Sequence, residues 1–384
     1  AAERALAFPA PGGLTVRYAM KALPTAAVLK LFTGMGLHID ASSGFEVERA
    51  LRAGVPPERI QLTAQQLPDN FADLVSRGVR FCACSLRQLD AYGAAFPNSD
   101  VVVRINPGLG SGHSNRTNTG GVGSSFGIWR GLLEEVRAAA ERHGLTITTM
   151  HTHIGSGSDP DTWVHCARLS LELLTHLPDV TMLSLGGGYK VGRMLGEASA
   201  DLHAIGARVR PELETFARAQ GRQLDLEIEP GTYLTAAAGA LLAEVHDLVD
   251  TGPTGYHFLK TNTGMTEILR PSLYGAQHPI VVVPRTAETR DVGHYLAVGH
   301  CCESGDLLTP KPGDPEALEP RTMTEAAVGD FVVIEAVGAY CSSMSAKNYN
   351  AFPEVAELLR TAPGSFEVIR RAQTLDQALA NEVV

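Results

Sequence analysis

The sequence has 384 residues, more than one typical hydrophobic core holds, so one large domain with a smaller companion is expected. With 44% hydrophobic and 19% charged residues it is an ordinary globular chain and not a disordered one, and its formal charge of -10 disfavours nucleic acid or an anionic membrane as partner. No apolar run reaches the roughly 18 residues that cross a bilayer. The opening AAERALAFPAPGG lacks the basic-then-apolar order of a signal peptide. Cys82, Cys84, Cys166, Cys301, Cys302 and Cys341 match no zinc spacing. The reading is therefore a cytoplasmic protein in a reducing compartment, with no bound metal.

In chain order, Val16–Met20 reads as a strand that delivers Lys21 to its end. Further strands are expected at Leu37–Asp40, Ile60–Ala64, Phe81–Cys84, Val101–Ile105, Ile147–His153, Thr181–Leu185 and Leu224–Ile228. Helical patterns lie between them: Thr25–Thr33 with Thr25 as N-cap, Phe45–Ala53 capped by Ser43, Leu132–His143 and Ala204–Ala219. Eight strands alternating with helices predict a (β/α)8 TIM-like barrel over 1–235. An open doubly wound sheet is the alternative, but no GxGxxG opens a helix after the first strand. The long segment 106–127, rich in Gly, Ser, Asn and Thr, is too long for a plain connection and reads as a functional loop. After Gly231 alternating patterns take over at Gly239–Val249, His257–Thr261, Ile280–Val283, Tyr295–Val298 and Asp330–Glu335, which predicts a C-terminal all-β domain over 236–384.

Barrel enzymes carry their reacting groups at the carboxyl ends of the strands. Here those ends present Lys21, Asp40, Arg104, His153, Gly186-Gly187-Gly188 and Glu229. The set suits pyridoxal 5'-phosphate. Lys21 is a Schiff-base amine for its aldehyde, Glu229 a carboxylate for its pyridine nitrogen, and His153 a flat face for its ring. The glycine triplet, Ser156 and Gly231 offer backbone donors for its phosphate. Other readings stay open. Lys21 could point into solvent, and Glu229 could cap a helix. His151 and His153 share a strand face and could bind a metal, although no third ligand is evident nearby. Cys301-Cys302 could be two small hydrophobes.

The segments YAMKA, HIGS, LGGGY, EPG, CESGD and GAY resemble the group IV, alanine-racemase-fold pyridoxal-phosphate decarboxylases. The resemblance runs from Arg17 to about Pro353. It is most specific at Leu269–Pro279 and Met344–Asn350, which are similar to the branch of the family that acts on diaminopimelate. It implies that Lys21 holds the cofactor, His153 stacks on its ring and Glu229 pairs with its nitrogen. Asp40 and Arg104 would support Lys21 and Glu229, and Ser156, Gly187, Gly188, Gly231 and Tyr340 would bind the phosphate. Arg270 and Tyr274 would bind the far end of the substrate. Cys302 and Glu303 would reach the site from the other subunit of a homodimer with shared active sites, Cys302 beside the carbon that is reprotonated. Arg270 suits a carboxylate and Glu303 an ammonium.

The implied reaction is decarboxylation of meso-2,6-diaminopimelate at its D-configured carbon, giving L-lysine and CO2. The alternative is another group IV reaction on ornithine, arginine or a related basic amino acid. A racemase would need a second base, for which Cys302 is less suited, and a carrier without turnover would not need Lys21, His153, Glu229 and Cys302 together. The sequence departs from the family pattern twice. Thr232 follows Glu-Pro-Gly where many members carry an arginine, so a hydroxyl is kept for the phosphate and a fixed positive charge is lost. Only a few residues precede the lysine strand, where the family has a leading segment that joins the β domain; either the chain is trimmed or that domain closes differently.

Overall fold

A computed structural model describes residues 1–110, 119–153 and 155–383. The chain divides into two compact units, Ala1–Val191 with Ala198–Leu234, and Gly192–Glu197 with Thr235 onward.

The first unit is a closed parallel barrel. Its strands are β1 (Leu14–Ala19), β2 (His38–Ala41), β3 (Ile60–Thr63), β4 (Arg80–Ala83), β5 (Asp100–Asn106), β6 (Thr146–His151), β7 (Met182–Ser184) and β8 (Asp225–Ile228). Each pairs in parallel with the next, and β8 returns to β1 through Val16 opposite Ile228. This is the expected barrel, with strand ends shifted by one or two residues.

The helices behave as their end residues dictate. α2 (Ala26–Gly34) has Thr25 at its N-cap, yet the threonine side chain makes no capping bond. α3 (Gly44–Arg52) is capped as expected: Ser43 Oγ accepts the Glu46 N–H at 3.1 Å, and Glu46 Oε2 takes the Ser42 N–H at 2.7 Å. α4 (Phe71–Ser76), α5 (Leu86–Ala95), α6 (Leu133–His143), α7 (Pro160–Leu174) and α8 (Leu202–Gln220) complete the set that follows the strands. The residues before β1 form α1 (Ala2–Leu6) and belong to this unit; Phe8 packs edge-on against Tyr189.

Part of the 106–127 loop, residues 111–118, lies outside the described residues. Asn106 ties the flanks together: its Oδ1 accepts the N–H groups of Gly108 and Gly121, and its Nδ2 donates to Gly121 O. Ile128–Trp129 then adds a two-residue ladder beside the end of β5.

The second unit is all β. Its six-stranded sheet runs β11-β14-β9-β10-β12-β13, where β9 is Ala240–Asp250, β10 His257–Thr261, β11 Ile280–Val283, β12 Val292–Val298, β13 Arg321–Thr324 and β14 Phe331–Glu335. Val245, Leu259, Ile268, Ala297, Val332 and Ile334 form its core. The sequence patterns located five of these strands. They missed β13 and two hairpins, Pro310–Lys311 with Asp314–Leu318 and Glu357–Ala362 with Ser365–Arg370. The second hairpin is exposed along most of its length, so it has no buried face to impose an apolar alternation.

Candidate active site

The barrel interior is polar, and the strand period places it. Residues two apart on one strand share a face, so Glu227 and Glu229 at the end of β8 both enter the barrel. Glu227 is fully buried. Arg17 Nε meets its Oε2 at 2.7 Å, and Arg80 Nη1 lies 3.5 Å from the same oxygen. Burial would lift this carboxyl, but the two guanidiniums outweigh burial and hold it below the usual range.

Glu229, just past β8, lacks such a cation. Its Oε2 accepts from His151 Nε2 at 2.9 Å and its Oε1 from Gln61 Nε2 at 3.3 Å. Burial and the neighbouring Glu227 push its pKa up to about 7, against the pull of Arg17, Arg104 and Lys21. Burial also pushes His151 down to about 3, with Arg104 adding to the effect, so its ring is neutral and donates from Nε2. Asp40, on β2, is pushed up to about 7 by burial and by Glu229, against Lys21 and the hydroxyl of Thr63. This is a group of buried carboxyls short of positive charge.

Lys21 lies nearby. The β1 strand ends at Ala19, and Lys21 sits in a single 3-10 turn, Met20–Ala22, rather than on the strand itself. Met20 and Ala22 are buried while Lys21 is exposed, and its ammonium bears on Asp40, Glu229, His151 and His153. Tyr18 steadies the turn: its ring packs on Phe32 and its hydroxyl donates to Leu23 O at 3.0 Å.

The glycine triplet follows β7. Gly186 has φ +68° and Gly188 φ +102°. A Cβ on Gly187 would stand 2.1 Å from Glu229 O, and one on Gly188 1.9 Å from Gly155 O. Only glycine lets these three loops approach so closely. The Gly187 N–H donates to His153 Nδ1 at 3.0 Å, and Gly157 N–H to Gly188 O at 2.9 Å. His153 therefore lies beyond the end of β6, which stops at His151, and burial with Arg104 and Lys21 keeps its pKa well below normal. The two histidines do different work: His151 serves Glu229 and His153 the glycine loop. Among the described residues no three His, Cys, Asp or Glu side chains gather as metal ligands.

Arg104 is buried on β5 with its guanidinium 5.2 Å from the Phe126 ring. Ser156 lies in the loop after β6, Gly231 after β8, and Thr232 opens the helical turn Thr232–Thr235. In the second unit, Arg270 and Tyr274 share one turn, Arg270–Tyr274, with the guanidinium 5.8 Å from the phenol ring. Cys302 and Glu303 are exposed; the Cys302 N–H donates to Asn350 Oδ1 and Tyr349 donates to Glu303 Oε2. Tyr340 holds φ +56°, uncommon outside glycine.

Sequence reasoning missed Gln61 and the Arg17–Glu227–Arg80 group. The signal was present as polar residues at alternate positions of otherwise apolar strands. It left a metal pair open as an alternative for His151, which instead hydrogen-bonds Glu229.

These residues suit pyridoxal phosphate. A buried carboxyl with a raised pKa is ready for a cationic ring nitrogen, and the buried Asp40 Oδ1 and His151 Nδ1 have no hydrogen-bond partner. The glycine loop leaves no room for side chains where a phosphate needs backbone donors.

Comparison with known proteins agrees. Residues 2–236 match the family described as pyridoxal-dependent decarboxylase, pyridoxal binding domain. The chain is 36% identical to a diaminopimelate decarboxylase of Streptomyces coelicolor, over 96% of this chain and 84% of that protein. It is 34% identical to one of Escherichia coli, over 96% and 89%. A crystal structure of diaminopimelate decarboxylase superposes with a TM-score of 0.89 at 34% identity, covering 95% of this chain and 88% of that one. The Helicobacter pylori enzyme complexed with L-lysine gives 0.83 at 26% identity, covering 96% and 90%. The barrel, its strand-end residues and these matches place the chain in the family of pyridoxal-dependent decarboxylases.

Proposed function

We propose that the chain decarboxylates meso-2,6-diaminopimelate to L-lysine and CO2, the last carbon–carbon cleavage of a lysine biosynthesis. The carrying observation is the buried Glu229, held by His151 and Gln61 and under the electrostatic influence of Lys21. Pyridoxal phosphate, when bound, takes up the electron pair left by the departing carboxylate. The chain's own residues do the rest. Lys21 would hold the cofactor's aldehyde carbon, and Glu229 its ring nitrogen, with Asp40 and Arg104 supporting both. His153 would lie against the ring. Ser156, Gly187, Gly188, Gly231, Thr232 and Tyr340 would bind the phosphate.

In the all-β domain over 236–384, Arg270 and Tyr274 would take the far carboxylate of the substrate and Glu303 its ammonium. The thiol of Cys302 would give its proton to the carbon that lost CO2, forming the new C–H bond, and regain one from water. The exposure of Cys302 and Glu303 on a single chain supports their service in a second copy's site, hence a homodimer. All six cysteines are unpaired, which supports a reducing, cytoplasmic setting. No helix among the described residues is long and apolar enough to cross a membrane.

Release of CO2 from diaminopimelate, lysine, ornithine and arginine, compared by kcat/KM, tests the reading. Diaminopimelate should lead by about a hundredfold or more, since losing a charged contact in a desolvated site costs on that scale. A lead for ornithine or arginine would replace the proposed substrate.

A further inference from the structure

The second unit holds two guanidiniums, Arg193 and Arg270, that act on each other electrostatically and that form no ion pair among the described residues. Arg193, in the segment Gly192–Glu197, donates from Nε to Ala336 O at 3.3 Å, while its Nη2 is buried without a partner. Arg270 likewise has a buried, unpartnered Nε. Among the described residues neither forms an ion pair with a carboxylate, whereas Arg290 meets Asp330 and Arg370 meets Glu354. Glu197, the nearest acid in sequence, turns its Oε2 to the backbone N–H groups of Arg193 and Met194. Burial and the nearby Arg270 push Arg193 down to about 10, as expected of two cations sharing a poorly solvated space.

The surroundings are built rather than incidental. The carbonyl that holds Arg193 belongs to Ala336, a non-glycine residue at φ +55° directly after β14. The preceding carbonyl, Glu335 O, receives His278 Nδ1 at 3.1 Å. His278 is fully buried and neutral, its pKa pushed down to about 3 by burial and by Arg193, so it adds no charge. Adjacent carbonyls thus hold Arg193 and the neutral His278. A buried donor without a partner costs stability unless something fills it.

We infer that Arg193 is a substrate-binding residue that joins Arg270 in holding the remote carboxylate of a dicarboxylic amino acid. This rests on the proposed reaction and deepens it.

The test uses the holoenzyme and its Arg193→Gln and Arg193→Lys variants. KM and kcat are measured on meso-diaminopimelate and on D-lysine, which keeps a D-configured reacting carbon and lacks the remote carboxylate. Binding of pimelate, a seven-carbon dicarboxylate, is followed by calorimetry, alongside the cofactor absorbance and Tm. Arg193→Gln should raise KM for diaminopimelate on the order of thirtyfold and weaken pimelate by a similar factor. Its kcat, its D-lysine kinetics and its cofactor band should stay close to wild type, and Arg193→Lys should recover most of the loss. An unchanged KM and unchanged pimelate affinity overturn the inference. So does a loss of cofactor, or a fall in Tm equal in both variants, since those mark a phosphate or packing role. Wild-type enzyme inert toward diaminopimelate refutes the proposed reaction, while the pimelate comparison still decides the role of Arg193; wild-type enzyme that binds no pimelate overturns that role as well.

Discussion

Two glutamates two residues apart, one on β8 and one just past it, meet opposite fates, and the difference is the number of cations each touches. Glu227 touches two guanidiniums and stays ionised, while Glu229 touches a neutral histidine and an amide. The consequence is visible in the cofactor-free protein. The Glu229 carboxyl is raised from 4.5 to about 7, so the folded state binds a proton that the unfolded chain releases. Its contribution is full below pH 4.5 and is lost as pH rises through 7. Chemical denaturation of wild type and Glu229→Gln should therefore show the difference between them moving toward wild type by about 1–3 kcal/mol from pH 7 to pH 4.5. A difference that does not change with pH would show that Glu229 is already ionised without its cationic partner.

Among the elements, the barrel strands were legible because each carries a short apolar run with turn residues at its ends, and all eight lie where those runs do. The cap of α3 was legible because Ser43 and Glu46 have the right spacing; Thr25 had the right position but makes no capping bond. The positions of Asp40, Arg104, His153 and Glu229 at or just past the strand ends, and of Lys21 one turn beyond β1, could be read from the apolar runs. The partners that tune them could not, because Gln61, Arg17 and Arg80 meet Glu227 and Glu229 only when distant strands close the barrel. The second unit was less legible. Its strand β13 has four residues, and its last hairpin buries little.

The loop after β7 gives the sharpest test at this scale. Gly188→Ala forces a Cβ against Gly155 O at a positive φ, so it should cost about 2–4 kcal/mol in denaturant unfolding and weaken pyridoxal phosphate binding. An unfolding midpoint and cofactor affinity equal to wild type would mean that the loops part without penalty.

For the whole molecule, whether a second copy of the chain completes each site is open to a simple mixing experiment. Lys21→Ala and Cys302→Ala are each expected to be inactive, by loss of the cofactor's anchor and of the proton donor. If sites are shared in a homodimer, a mixed dimer has one site with both lesions and one with neither, so random exchange should restore about a quarter of wild-type activity. Failure of the mixture to regain activity, with exchange verified by tagged subunits, would place each site within one chain.

The claim on which the rest depends is that Lys21, among six lysines, holds the cofactor. Borohydride reduction of the holoenzyme followed by peptide mass mapping tests it directly. The absorbance band above about 400 nm, characteristic of a conjugated pyridoxal group, should be lost, with the phosphopyridoxyl label on the peptide carrying Lys21 and nowhere else. A label on any of the other five lysines, or a reduced enzyme without label, would contradict it.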